Sequence, residues 1–76
     1  MIKIRTQNRT KLVNCAGVYI DDSPGEDFPN YCIYGIVYGN GGHVILGYYY
    51  TLDESLKVLD DLENNDAAAY RMPKTS

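Results

Sequence analysis

The run from Gly47 to Leu62 constrains the fold most, because its periodicity changes partway along. Gly47-Tyr48-Tyr49-Tyr50 is aromatic and strand-forming, whereas Leu52, Leu56, Leu59 and Leu62 recur at steps of four, three and three. The second spacing predicts a helix with the four leucines on one face and Val58 beside them. Thr51 and Glu54 have the spacing of a capping box, in which the threonine oxygen accepts an early helical N–H and the glutamate reaches back. Asp53 competes for the cap, and both acids sit where the helix dipole favours negative charge. Such a helix needs a sheet to lie on.

The preceding residues supply one. Ile2 to Thr6 alternates apolar and polar, and Gln7 to Lys11 reads as a polar turn with Asn8 suited to a left-handed conformation. Leu12 to Ile20 is a second β-like run, in which Gly17 marks a bulge. Asp21 to Asn30 carries two prolines, a glycine and four acids, the composition of a surface loop into which Phe28 tucks back. Tyr31 to Tyr38 and His43 to Tyr50 flank Gly39-Asn40-Gly41-Gly42, whose residues supply the positive φ of a tight hairpin. Beyond the helix the chain frays at Asn64-Asn65, and Asp66 to Tyr70 adds either a helical turn or a short strand capping an edge. The expected architecture is α+β: a four-stranded antiparallel β-meander with one C-terminal helix packed on one face. Residues 1–66 form the domain and 67–76 a C-terminal tail, in which Pro73 ends any regular element.

At 76 residues, 45% hydrophobic and 22% charged, the chain is one small globular domain. A net charge of −3 argues against direct nucleic-acid binding, which ordinarily comes with a basic excess. The charge is segregated, however. Lys3, Arg5, Arg9 and Lys11 give the first eleven residues +4, while Leu52 to Asp66 holds six acids against one lysine, a net of −5. Either the helix is simply solvated and the basic strand protects an edge, or the surface is dipolar and steers a charged partner or stacks copies head to tail. The start of the chain lacks the apolar core of a signal peptide and no run approaches a membrane span, so a cytoplasmic setting with Cys15 and Cys32 as free thiols is expected. His43 would be only a third ligand beside them, and neither metal nor cofactor is expected.

Six of the eight tyrosines, at 31, 34, 38, 48, 49 and 50, fall on the central hairpin. By parity Tyr34 pairs in facing with Tyr38, and Tyr48 with Tyr50. They either shield a small sheet as cross-strand pairs or form an exposed platform. The candidate partner-binding residues are therefore Tyr34, Tyr38, Tyr48 and Tyr50, with Asp60 and Asp61 of the acidic helix. The expected role is a non-enzymatic protein that binds and inhibits a host or defence protein. The alternative is a homo-oligomer that sequesters a nucleotide, stacking its base on Tyr34 or Tyr48 and pairing its phosphates with Arg5, Arg9 or Lys11. No catalytic residue is assigned. The glycine-rich turn lacks the Lys-Ser/Thr of a P-loop, neither cysteine has a base beside it, and His43 at the hairpin reads as solvent-exposed.

Three stretches carry a resemblance. Ile4-Arg5-Thr6-Gln7-Asn8 followed by Leu12-Val13-Asn14 resembles the opening strand and turn of small proteins common in Firmicutes and their phages. Ile33-Tyr34-Gly35 resembles their central strand. Leu46-Gly47-Tyr48-Tyr49-Tyr50-Thr51-Leu52-Asp53-Glu54, running on to Val58-Leu59-Asp60-Asp61-Leu62, resembles their strand-to-helix ending. The likeness implies a bacterial or phage cytosolic setting and no particular activity.

Overall fold

The computed structural model describes residues 2–21 and 31–74. The expected loop and its Phe28 lie outside the described residues, apart from Asp21. The elements are β1 (Ile2–Arg5), β2 (Leu12–Asp21), β3 (Tyr31–Val37), β4 (His43–Tyr49), α1 (Leu52–Glu63) and β5 (Ala69–Arg71). The sheet order is β4-β3-β2-β1-β5. The first four strands form the expected antiparallel meander, while β5 adds to β1 in parallel. Of the two expectations for Asp66 to Tyr70, the edge-capping strand is the one formed. The segment assigned to a tail therefore belongs partly to the sheet. Tyr70 lies opposite Ile4, and the buried Met72 donates its N–H to the Arg5 carbonyl at 3.0 Å.

Two β-bulges decide which side chains face inward. Cys15 pairs with Val37 but Gly17 with Ile36, so Ala16 is an extra residue. The bulge expected at Gly17 is there, and it turns Val18 and Ile20 toward the core and Tyr19 away from it. A second, unexpected bulge lies in β4: Ile33 pairs with Gly47 but Tyr34 with Ile45, leaving Leu46 over. It lets Leu46, Gly47 and Tyr49 all be buried while Tyr48 turns outward.

The core consists of Ile4, Cys15, Ile33, Leu46, Tyr49, Val58 and Met72, on the inner face of the sheet beneath α1. Gly35 is required there: a Cβ on it would stand 2.7 Å from the Cys15 Sγ and 3.2 Å from Leu46 Cδ1. Tyr49 is the largest fully buried side chain, and its hydroxyl donates to the Pro73 carbonyl at 2.6 Å. Thr51 caps the helix as expected, accepting from the Glu54 N–H at 3.1 Å, and the helix ends at Asn64. The expected leucine face is buried only in part. Ser55 and Val58 are buried and Leu59 and Leu62 are half-buried, while Leu52 and Leu56 are exposed. The helix is thus seated on the side of Ser55, Val58 and Leu62, turned from the centre of the leucine stripe.

The polar turn does more than connect β1 to β2. Gln7 donates its backbone N–H to the Leu46 carbonyl at 2.8 Å, so the residues after β1 reach the far edge of the sheet. The Gln7 side-chain amide then imitates a strand residue: Oε1 accepts the Tyr48 N–H at 3.0 Å and Nε2 donates to the Tyr48 carbonyl at 2.9 Å. Nε2 also donates to the Pro73 carbonyl at 3.2 Å, tying in the chain beyond β5. The sheet thereby curls far enough for the turn after β1 to meet β4. Within the turn, Asn8 Oδ1 accepts from Thr6 Oγ1, the Thr10 N–H and Thr10 Oγ1. With Asn8 held this way, the left-handed residue is Arg9, at φ 67°, and not Asn8 as the sequence suggested.

Replacing Gln7 by Ala removes three side-chain hydrogen bonds and is expected to lower unfolding free energy by about 1–3 kcal/mol in urea titration. Gln7→Glu should cost at least as much, since a carboxylate cannot donate to the Tyr48 and Pro73 carbonyls. Burial raises the Tyr49 phenol above its usual value of 10.0. The native state therefore keeps a proton that the unfolded chain releases. Its contribution is fully present below about pH 10 and falls as pH rises. Denaturation midpoints measured from pH 8 to 11.5 should drop above pH 10, and less steeply in Tyr49→Phe.

Candidate functional site

Cross-strand register assembles one outer face on β2, β3 and β4. Tyr19 lies opposite Tyr34, Tyr34 opposite Ile45, Cys32 opposite Tyr48, and Ile36 opposite His43. The Tyr19 and Tyr34 rings stack with centroids 5.4 Å apart and planes 15° from parallel. Tyr19 also meets the His43 ring edge-on at 5.5 Å, and its hydroxyl hydrogen-bonds His43 Nδ1 at 2.6 Å. Tyr19 is thus held from both sides and spans β3 to reach β4. Beside this cluster Ile45 and Tyr48 remain 41% and 40% exposed. The surface is apolar with polar tips, and its central rings are joined by stacking and a hydrogen bond.

Two neighbouring groups on this face hold their protons more tightly than usual. The Cys32 thiol, close by and hydrogen-bonded, raises the Tyr34 phenol, with smaller contributions from burial, Asp21 and Tyr48. Burial raises the Cys32 thiol in turn. Cys15 is also raised by burial, but it lies on the inner face. The sheet separates the two sulfurs, which are free thiols. Among the described residues no three His, Cys, Asp or Glu side chains converge as a metal site, and no helix is long and apolar enough to cross a membrane.

The structure divides the residues singled out from sequence. Tyr34 and Tyr48 share the outer face. Tyr38 follows β3 in the hairpin turn at 61% exposure, and Tyr50 stands beyond β4 at the helix entry. The same-face pairing expected for Tyr48 with Tyr50 ends where the strand does. Asp60 and Asp61 lie on α1, which packs against the inner face, so they do not join the tyrosine platform. Asp61 is engaged with the Tyr70 hydroxyl, which together with burial raises that phenol.

The nucleotide set is likewise split. Lys11 and Tyr48 line one groove of about 550 Å³ between the Thr6–Lys11 turn and β4, together with His43 and Ile45. Arg5 and Arg9 are outside it, with Arg5 Nη1 donating to the Arg9 carbonyl at 3.4 Å. Lys3 and Arg5 do not form a basic edge either. β1 is paired on both sides, and their side chains lie on the outer face beside Arg71, which register places directly next to Arg5.

Three residues that shape the site were not picked out from sequence. Tyr19 shares its parity with Cys15, so only the Ala16 bulge turns it outward. His43, read as solvent-exposed, is the polar anchor of Tyr19. Arg71 fell in the presumed tail. Comparison of the chain with protein families, curated proteins and solved structures finds no match in any of the three, so the functional reading rests on the geometry of this face.

Proposed function

We propose that the chain is a non-enzymatic binding module whose outer β2–β3–β4 face docks a partner protein. In the phage-like setting suggested by the resemblance, that partner is a host or defence protein, inhibited because its surface is occupied. The supporting observation is the ordered aromatic cluster of Tyr19, Tyr34 and His43 beside exposed Ile45 and Tyr48. Tyrosine presents a large contact area with few rotors, and a cluster already locked by stacking gives up little further entropy on binding. Asp60 and Asp61, on the other side of the sheet, are not part of this contact.

The test uses the chain as bait in extract from a bacterial host, with bound protein quantified by mass spectrometry. Tyr48→Asp and Tyr34→Ala should each reduce capture of a specific partner at least about tenfold, the loss typical of a central interface residue. Asp60→Asn with Asp61→Asn should leave capture unchanged. Loss in the helix variant with retention in the tyrosine variants would place the contact elsewhere and defeat the proposal.

A second reading, nucleotide sequestration, draws support from the groove that joins Lys11 to Tyr48 and His43, whose volume is in the range of small-molecule sites. It requires extra mass of nucleotide size on the protein in native mass spectrometry, lost in Lys11→Ala. Bare protein at 8.6 kDa per chain would count against it.

A further inference from the structure

We propose that a second copy of this chain docks its acidic helix exterior onto the basic outer patch of β1 and β5, head to tail. The patch breaks a rule that the fold alone gives no reason to break. Arg5 and Arg71 are direct neighbours on adjacent strands with side chains on one face, and Lys3 lies two residues along on that face. Like charges directly opposite each other destabilise a sheet. Protection of an exposed edge does not account for the two on β1, because β5 covers it. Among these cations lies Leu12, opposite Arg5 and 54% exposed.

The outward stripe of α1 is the counterpart. Asp53, Leu56, Asp60 and Glu63 follow at steps of three, four and three, and all four are exposed, Leu56 at 45%. Three acids thus surround an exposed leucine on one surface, and three cations adjoin an exposed leucine on another. An apolar centre with a charged rim is the composition of a specific contact. The two surfaces are on opposite sides of the sheet, so one copy cannot satisfy itself and the contact is heterologous. An external polyanion would also suit the cations, but it has no counterpart for the exposed Leu12 among them, whereas the helix of another copy presents three acids around an exposed leucine. This contact is separate from the tyrosine face and stands without the function proposed above.

Sedimentation velocity on the intact chain tests it. At about 20 mM salt the weight-average mass should rise at least twofold above 8.6 kDa with concentration, and it should return to monomer at about 500 mM as the charges are screened. Arg5→Glu with Arg71→Glu, and separately Asp60→Lys with Glu63→Lys, should each be monomeric at low salt. An equimolar mixture of the two should associate again. Lys74→Glu, off the patch, should associate like the wild type, and circular dichroism verifies that each variant is folded. A monomeric wild type at low salt and millimolar concentration would overturn the proposal. So would association that survives either charge reversal, or a monomer that instead binds single-stranded DNA through the same cations.

Discussion

The Gln7 clasp is the interaction on which the rest of the structure depends. A five-stranded sheet with a single helix has too little material to cover both its faces and its edges. Coiling solves part of this, and Gln7 holds the coil by pairing with the free edge of β4 through its backbone and both ends of its side-chain amide. The clasp needs a close approach. A Cβ on Gly47 would lie 3.1 Å from the Gln7 Cβ and 3.2 Å from the Tyr49 ring, so glycine is the residue that fits between them. The same amide holds the Pro73 carbonyl, which also accepts the Tyr49 hydroxyl. Turn, edge strand, core aromatic and C-terminal segment are joined at this one point.

The two bulges decide which side chains the outer face presents. Each shifts parity by one residue, so that a strand can give consecutive inward residues at one level and reverse its facing beyond it. In β2 the shift turns Tyr19 out to stack on Tyr34. In β4 it buries Tyr49 and frees Tyr48 beside Ile45. The aromatic platform is therefore a consequence of how the core closes. Polar tips keep it compatible with water: Tyr19 has His43, and Tyr34 has Cys32.

Charge follows a different axis. The helix exterior is acidic and the outer face at β1 and β5 is basic, leaving the aromatic platform on the remainder of that face. Among the described residues, three exposed surfaces thus differ in chemistry: an acidic, a basic and an aromatic one.

How much of this was legible beforehand follows from the range of the interactions involved. Strand runs, the glycine hairpin, the Thr51 cap and the Gly17 bulge could be read because each depends on a residue's own backbone preference or on neighbours a few positions away. The burial of Ser55 and the exposure of Leu52 and Leu56 were not legible, since they depend on how the helix seats against another element. The β4 bulge, the Tyr19–His43 bond and the Arg5–Arg71 juxtaposition depend on pairing between distant strands. Nor did the sequence distinguish a strand from a helical turn after Asp66; the open edge of β1 made that choice. By itself, then, the sequence determined the kinds of element, their order and the segregation of charge. The tertiary structure decided register, facing and which tyrosines meet, because a one-residue shift in pairing reverses every side chain beyond it, and the shift in β4, unlike that at Gly17, has no local mark.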